Sequence, residues 1–339
     1  MSGTTDSEVV VVTGASAGVG RATARAFAER GAKVGLLARG EDGLKGAREE
    51  VERAGGEAII VPTDVADPDE VEAAAETVED TFGPIDVWVN NAMVSVFSPA
   101  AEMTDDDYRR VTEVTYLGYV YGTQAALDRM RPRDEGTIVQ VGSALAYRGI
   151  PLQSAYCGAK HAIQGYTESV RTELLHDDCD VQLSMVQMPA MNTPQFEWTK
   201  TRLPRKPQPV PPIYQPEVAA RAIIWAVDHS RDELWVGRST VKAILGNRLI
   251  PRRLDNYLAQ SGYDSQQTDE PVDPDREHNL YGPVSGDFGA HGPFDDQARD
   301  LSYQLQASMH RRVLALIIGL VVAIVSAVLG QRIVSTDSS

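Results

Sequence analysis

Residues 8 to 240 alternate short apolar runs with longer amphipathic stretches. Residues 9–12, 34–37, 58–61, 87–89, 137–141 and 181–186 predict strands, being short, mostly apolar and rich in β-branched residues. A strand covered on both faces has that composition. Residues 18–30, 43–54, 68–82, 105–130, 154–176 and 216–229 predict helices, and a last strand is expected near 234–236. A βαβ series of this kind implies an α/β fold with a doubly wound parallel sheet.

Two segments break the alternation. Residues 192–215 hold six prolines, which oppose regular structure. Residues 262–300 are rich in Asp, Pro and Gly and poor in aliphatics, which predicts an extended or disordered linker. Between them, 238–260 looks helical, with Leu245, Leu249, Leu254 and Leu258 placed to pack on the core. The expected organisation is a catalytic domain over 1–260, a polar linker over 261–310, a transmembrane helix over 311–332 and a short tail over 333–339.

The transmembrane expectation rests on residues 313–330, an uncharged run of 18 residues. At ~1.5 Å each they span roughly 27 Å, close to the ~30 Å hydrocarbon core. The run has no polar face. His310, Arg311 and Arg312 precede it and Arg332 follows, so cations can reach headgroups at both ends. The N-terminus has neither a basic region nor an apolar run, so no secretory signal is visible. The expected location is therefore a membrane, with a single C-terminal anchor and the catalytic domain in the cytoplasm. Gly319, Ala323 and Ala327 offer a small-residue face, a hint of a homodimer or tetramer.

Charge narrows the partners. Acidic residues outnumber basic ones 48 to 32, for a net charge of -16. Nucleic acid, which needs a Lys/Arg footprint, is not expected. The acidic surface suits a high-salt cytoplasm, or is simply that of an acidic soluble domain. Cys157 and Cys179 form neither a disulfide framework nor a metal-ligand pair, and each is expected to be a buried free thiol. The six histidines show no HExxH-like spacing, so no metal is expected.

The first motif with chemistry is Thr13-Gly14-Ala15-Ser16-Ala17-Gly18-Val19-Gly20, between a strand and a helix. In that context glycines let the main chain approach a pyrophosphate while the helix N-terminus faces the anion. A tight turn with no ligand would look the same, but the position favours nucleotide binding. The second strand ends in Ala38-Arg39. An acid there would bind ribose hydroxyls, whereas a guanidinium suits a 2′-phosphate. NADP is therefore expected over NAD, unless Arg39 is only a solvated cation or nearby Glu41 blurs the choice.

The second motif is Ser143, Tyr156 and Lys160. Tyr156 and Lys160 lie four apart on a predicted helix and share a face. An ammonium beside a phenol stabilises the phenolate and lowers its pKa toward working pH. Ser143 follows a strand and can bind the reacting oxygen. A Tyr-x-x-x-Lys pair alone is common on surfaces; it gains meaning from the glycine turn upstream and the serine 13 residues before the tyrosine.

Together with Asn90-Asn91-Ala92 after the fourth strand, these motifs resemble the short-chain dehydrogenase/reductase family over about residues 8 to 240, which implies a Rossmann-type fold. The resemblance implies that Gly14, Ser16, Ala17, Gly18, Val19 and Gly20 cradle the cofactor with Asn91 and Ala92. It puts Asp64 and Val65 at the adenine and Asn90 in support of the sheet. Tyr156 and Lys160 are implied to act in catalysis and to contact the nicotinamide half. Pro189 and Thr193 match the segment closing on the carboxamide, and the proline-rich stretch after Thr193 the substrate loop.

Two positions depart from the family pattern. Met93 stands where Gly usually follows Asn-Asn-Ala. Thr115 stands where many members place a catalytic Asn, whose main-chain carbonyl holds a water joined to the lysine. Thr115 keeps a carbonyl and lacks the amide.

The function so implied is an NADP-preferring oxidoreductase that interconverts a carbonyl and an alcohol, on a small and lipophilic substrate. An NAD-dependent dehydrogenase of the same family is the nearer alternative. A silent nucleotide-binding scaffold is the more distant one, and it would have lost Tyr156 or Lys160.

Overall fold

The computed structural model describes residues 7–311. Its centre is a seven-stranded parallel sheet. The chain runs β1 (Val9–Thr13), α1 (Gly18–Ala28), β2 (Lys33–Ala38), α2 (Glu41–Arg53), β3 (Glu57–Pro62), α3 (Pro68–Phe82) and β4 (Val87–Asn90). It continues with β5 (Val96–Phe97), α4 (Asp105–Thr112), a π-helical turn Glu113–Leu117, α5 (Gly118–Met130), β6 (Thr137–Ser143), α6 (Ser154–His176) and β7 (Gln182–Met188). Then come α7 (Gln195–Trp198), β8 (Lys200–Thr201), β9 (Arg205–Pro207), β10 (Ile213–Tyr214), α8 (Pro216–His229) and β11 (Glu233–Trp235). The strand order is β11-β7-β6-β4-β1-β2-β3. The order reverses between β1 and β4, where a crevice opens at the carboxyl ends of the strands.

The doubly wound expectation holds, and β1 shows why. Val10 and Val12 face one core with α1, α2 and α8, while Val9 and Val11 face the other with α3 and α5. Side chains alternate along a strand, so two apolar cores require apolar residues at every position. Helix starts are written locally as well. Asp67 caps α3 by accepting from the amides of Asp69 and Glu70, and Thr104 with Asp107 forms a capping box on α4. α1 differs: Ala17 at its cap offers no side-chain acceptor, and its first turn has no acid. Its N-terminal amides have no side-chain partner, and Gly18 N donates to the main-chain oxygen of Gly289.

Several expectations need correction. The helix predicted over 105–130 is interrupted by the π turn at Glu113–Leu117. The helical stretch 238–260 divides into α9 (Gly237–Leu249) and α10 (Pro251–Ser261) at Pro251. Leu245 and Leu249 do not pack on the core; they are 43% and 79% exposed. Cys157 is buried as expected, Cys179 only half-buried, and both thiols are free.

The largest correction concerns the expected linker. Residues 261–310 are laid across the catalytic fold and hydrogen-bonded to it. β12 (Gln267–Pro271) pairs antiparallel with β9, and β13 (Ala298–Arg299) pairs parallel with β10. α11 (Tyr303–Met309) sets Leu305, 1% exposed, into the main core. Four apolar residues of the segment, Leu280, Ala290, Phe294 and Leu305, are buried, while Leu301 and Tyr303 stay exposed. Composition predicted disorder because the segment builds no core of its own. It does not need one: its apolar side chains and amides dock onto a surface the preceding domain has formed. Among the described residues no helix is long and apolar enough to cross a membrane. The predicted membrane helix over 311–332 lies outside them apart from Arg311.

Candidate active site

β1 delivers the glycine turn at the crevice. Gly14 adopts a φ of 67°, in the left-handed region. At Gly20 a Cβ would stand 2.3 Å from Gly14 O, so only glycine lets α1 pack this close to the turn. Thr13 Oγ1 accepts from the amides of Asn91 and Ala92 at 2.9 and 3.1 Å, and Asn91 Nδ2 donates to Thr13 O at 2.9 Å. The glycine turn and the end of β4 are thus one locked unit. Asn90 is a buried node behind it, bonded to Trp88, Thr123, Gln140 and the carbonyl of Tyr119.

The C-terminal segment reaches this unit, which no sequence signal had indicated. Gly18 N donates to Gly289 O at 3.1 Å. Arg21 pairs with Asp287 and with Glu50. Arg39 donates to the main-chain oxygens of Asn279 and Leu280, and Arg110 Nε donates to Leu280 O at 3.1 Å. Asp64 is taken by Arg110. Arg39 itself has no carboxylate partner among the described residues, and burial pulls its pKa down.

At the other end, β6 ends in Ser143 and α6 carries Tyr156 in its first turn and Lys160 one turn later. The turn into α6 passes through Leu152 at a φ of 69°, a costly conformation for a bulky side chain. Ser143 N donates to Gln187 Oε1 at 2.8 Å, which fixes the end of β6 against β7. Lys160, 2% exposed, donates to Val141 O at 2.7 Å and to Tyr119 Oη at 3.0 Å. Its Nζ lies 5.6 Å from the Tyr156 ring centroid. Burial lowers the Lys160 pKa to about 7. Burial also raises the Tyr156 phenol, with the Ser143 hydroxyl pulling it down. The expected depression of Tyr156 by Lys160 is therefore not the net result here, because burial of the phenol dominates.

One cavity of about 460 Å³ joins the two ends. Gly14, Ser16, Ala17, Gly18, Val19, Arg39, Asp64, Val65, Asn91, Ala92, Ser143, Tyr156, Lys160, Pro189 and Thr193 all line it. Gly20 does not; it acts in packing behind the turn. Thr115 does not either. Its hydroxyl accepts from Val94 N at 3.0 Å and donates to Val94 O at 2.8 Å, so the side chain holds the β4–β5 connection and stays away from Lys160. Met93 lines the cavity.

The sequence reading missed three groups. Tyr119 looked like an ordinary aromatic on a helix. Phe97, Phe196 and Leu258 form much of an apolar wall, brought from three separate segments. Asn279, Pro283 and Phe288 of the presumed linker also line the cavity. Only Tyr119 had a local signal: it stands four residues after Thr115, on the helix that carries the family asparagine.

The family model described as short chain dehydrogenase matches residues 8–202. The uncharacterized oxidoreductase YxnA of Bacillus subtilis is 36% identical over 318 residues, covering 93% of this chain and 89% of YxnA. Dehydrogenase/reductase SDR family member 7B of Bos taurus is 35% identical over 179 residues, 51% of this chain and 55% of that protein. Among solved structures, an alcohol dehydrogenase from the archaeon Thermococcus sibiricus, complexed with 5-hydroxy-NADP, superposes with a TM-score of 0.59 at 29% identity. The match covers 68% of this chain and 95% of that one. A metagenomic short-chain oxidoreductase in complex with NADP superposes with a TM-score of 0.57 at 28% identity, covering 68% and 96%. With a family model spanning over half its length and a relative matched nearly end to end, the chain belongs to the short chain dehydrogenase family and is an oxidoreductase.

Proposed function

We propose that the protein binds NADP(H) and interconverts a carbonyl and an alcohol on a small, apolar substrate. The observation that carries this reading is the single cavity, with the glycine turn and Arg39 at one end and Ser143, Tyr156 and Lys160 at the other. The site suits a dinucleotide because the glycine turn lines the cavity and α1 starts with neither a side-chain cap nor an acid, although Gly18 N is taken by Gly289 O. Preference for NADP is supported by Arg39, a guanidinium hydrogen-bonded to two neutral carbonyls, with Asp64 nearby engaged by Arg110 and not hydrogen-bonded to it. A 2′-phosphate would supply an anion. The competing NAD reading has the same contacts in its favour, since those carbonyls already occupy part of the fork.

The nicotinamide, when bound, supplies or accepts the hydride. The protein's part is proton handling and orientation. Tyr156 Oη gives its proton to the carbonyl oxygen in reduction and takes one from the hydroxyl in oxidation. Ser143 Oγ hydrogen-bonds the same oxygen and fixes the face presented. Lys160, held in place by Val141 O, presents a positive charge that favours the phenolate. Phe97, Phe196 and Leu258 offer nothing to pair a charge, which supports an uncharged, lipophilic substrate. Residues 313–330, outside the described residues, support tethering to a membrane by their length and lack of charge, with the catalytic domain on the cytoplasmic side.

The deciding experiment is a panel of aliphatic and aromatic ketones with NADPH and NADH, and of the matching alcohols with the oxidised cofactors. NADPH should give the higher kcat/KM on apolar ketones. Turnover confined to NADH, or to charged substrates, would overturn the corresponding part of the reading.

A further inference from the structure

Lys160, Tyr119 and Val141 close a triangle of hydrogen bonds. Lys160 Nζ donates to Val141 O at 2.7 Å and to Tyr119 Oη at 3.0 Å, and Tyr119 Oη donates to Val141 O at 3.0 Å. Nζ also stands 4.6 Å from the Tyr119 ring centroid, nearer than to the ring of Tyr156. Tyr119 is 1% exposed and packs with Ile163 and Met185. Its own carbonyl accepts from Thr123 Oγ1 at 2.7 Å and from Asn90 Nδ2 at 3.3 Å, so the first turn of α5 is fixed to the sheet. Among the described residues, the titratable groups facing Nζ are Tyr119 from α5 and Tyr156 from its own helix, while β6 contributes a carbonyl. Among the described residues no carboxylate pairs with Lys160, and the Thr115 hydroxyl is spent on Val94.

We propose that Tyr119 is a positioning residue for Lys160, its hydroxyl oxygen accepting from the ammonium and holding Nζ beneath Tyr156, a support that the Thr115 side chain does not give. The physical argument is one of compensation. Burial pushes the Lys160 ammonium toward its neutral form. A hydrogen bond accepted from the ammonium, and a ring face beside it, favour the charged form. Because the Tyr119 hydroxyl proton is committed to Val141 O, its oxygen lone pairs are oriented for the lysine.

The test is Tyr119→Phe in the purified full-length protein. The chain has six lysines, so [ε-13C]lysine gives six signals, and Lys160→Arg identifies the one to follow. A lost hydrogen bond of about 0.5–1.5 kcal/mol should lower the Lys160 titration midpoint by roughly half a unit to one unit. With less ammonium at a given pH, the Tyr156 phenolate is less favoured. The acid limb of alcohol oxidation should then move to higher pH, with kcat several-fold lower and the Kd for NADPH unchanged. The kinetic part rests on the proposed reaction, whereas the titration does not. A shifted midpoint in a protein that oxidises no alcohol would count against the reaction and leave this inference standing. A midpoint equal to wild type would overturn it. Should Tyr119→Phe fail to fold, Tyr119→Met is read by the same two criteria.

Discussion

Arg39, at the end of β2, donates to the main-chain oxygen of Asn279, 240 positions further along the chain. The residue proposed to read the cofactor phosphate is thereby tied to the segment that looked like a linker. The same segment meets α1 through Gly289 and Arg21 through Asp287. The dinucleotide end of the cavity is built from both ends of the described chain.

Arg39→Ala should weaken NADPH binding by roughly tenfold or more, the scale of one charge-assisted hydrogen bond, and leave NADH binding within about twofold. Fluorescence titration with both cofactors measures this. Because Arg39 also holds Asn279 and Leu280, Arg39→Lys serves as a control that keeps the charge. Equal losses for both cofactors in Arg39→Ala would assign the residue to anchoring the segment and not to the phosphate.

Tyr156→Phe removes only the ionisable hydroxyl. Turnover should fall by about two to four orders of magnitude while cofactor affinity stays within a few-fold. A variant that turns over within a few-fold of wild type would show that the acid/base lies elsewhere.

Asp107 is fully buried and accepts from Lys200 at 2.8 Å, from Arg202, and from Tyr281 Oη at 3.2 Å. It ties α4 to the loop after β7 and to the C-terminal segment. Asp107→Ala strands two cations and should destabilise the fold by on the order of 3 kcal/mol. Its hydrogen bonds to Lys200 and Arg202 hold the carboxyl well below the usual carboxylate range, despite burial. A group depressed in the folded state contributes stability above its unfolded pKa, and that contribution is lost as pH falls below it. Wild-type protein should therefore lose melting temperature below about pH 4 more steeply than Asp107→Asn. Parallel acid limbs in the two proteins would deny Asp107 this role.

Two truncations separate the tail from the fold. A chain ending at Asp300 loses α11 and the buried Leu305, and deleting a buried leucine side chain alone costs about 2–5 kcal/mol. That form should melt lower than one ending at Arg311, which keeps the helix. The form ending at Arg311 should be soluble and active, while the full chain should pellet with membranes and resist a carbonate wash. Full-length protein found wholly in the soluble fraction would defeat the anchor proposal.

The sheet and its reactive residues were legible in the sequence because their signals are local. An apolar strand, a glycine turn before a helix, and a Tyr and Lys four apart each depend on neighbours within a few residues. The family resemblance singles out Ser143, Tyr156 and Lys160, and the fold brings all three to one cavity. What surrounds them was not legible, because it arises from contacts between distant segments. In the family pattern Thr115 stands at the place of an asparagine, and only packing shows that its hydroxyl serves Val94. Tyr119 carried no motif, and only the crossing of α5 and α6 over β6 brings its hydroxyl to Lys160. Residues 262–300 were too polar to predict a core, and composition records only what a segment can bury by itself. Tertiary structure supplied the surface on which Leu280, Phe294 and the main chain around Gly289 find their partners, and with it the outer wall of the dinucleotide site.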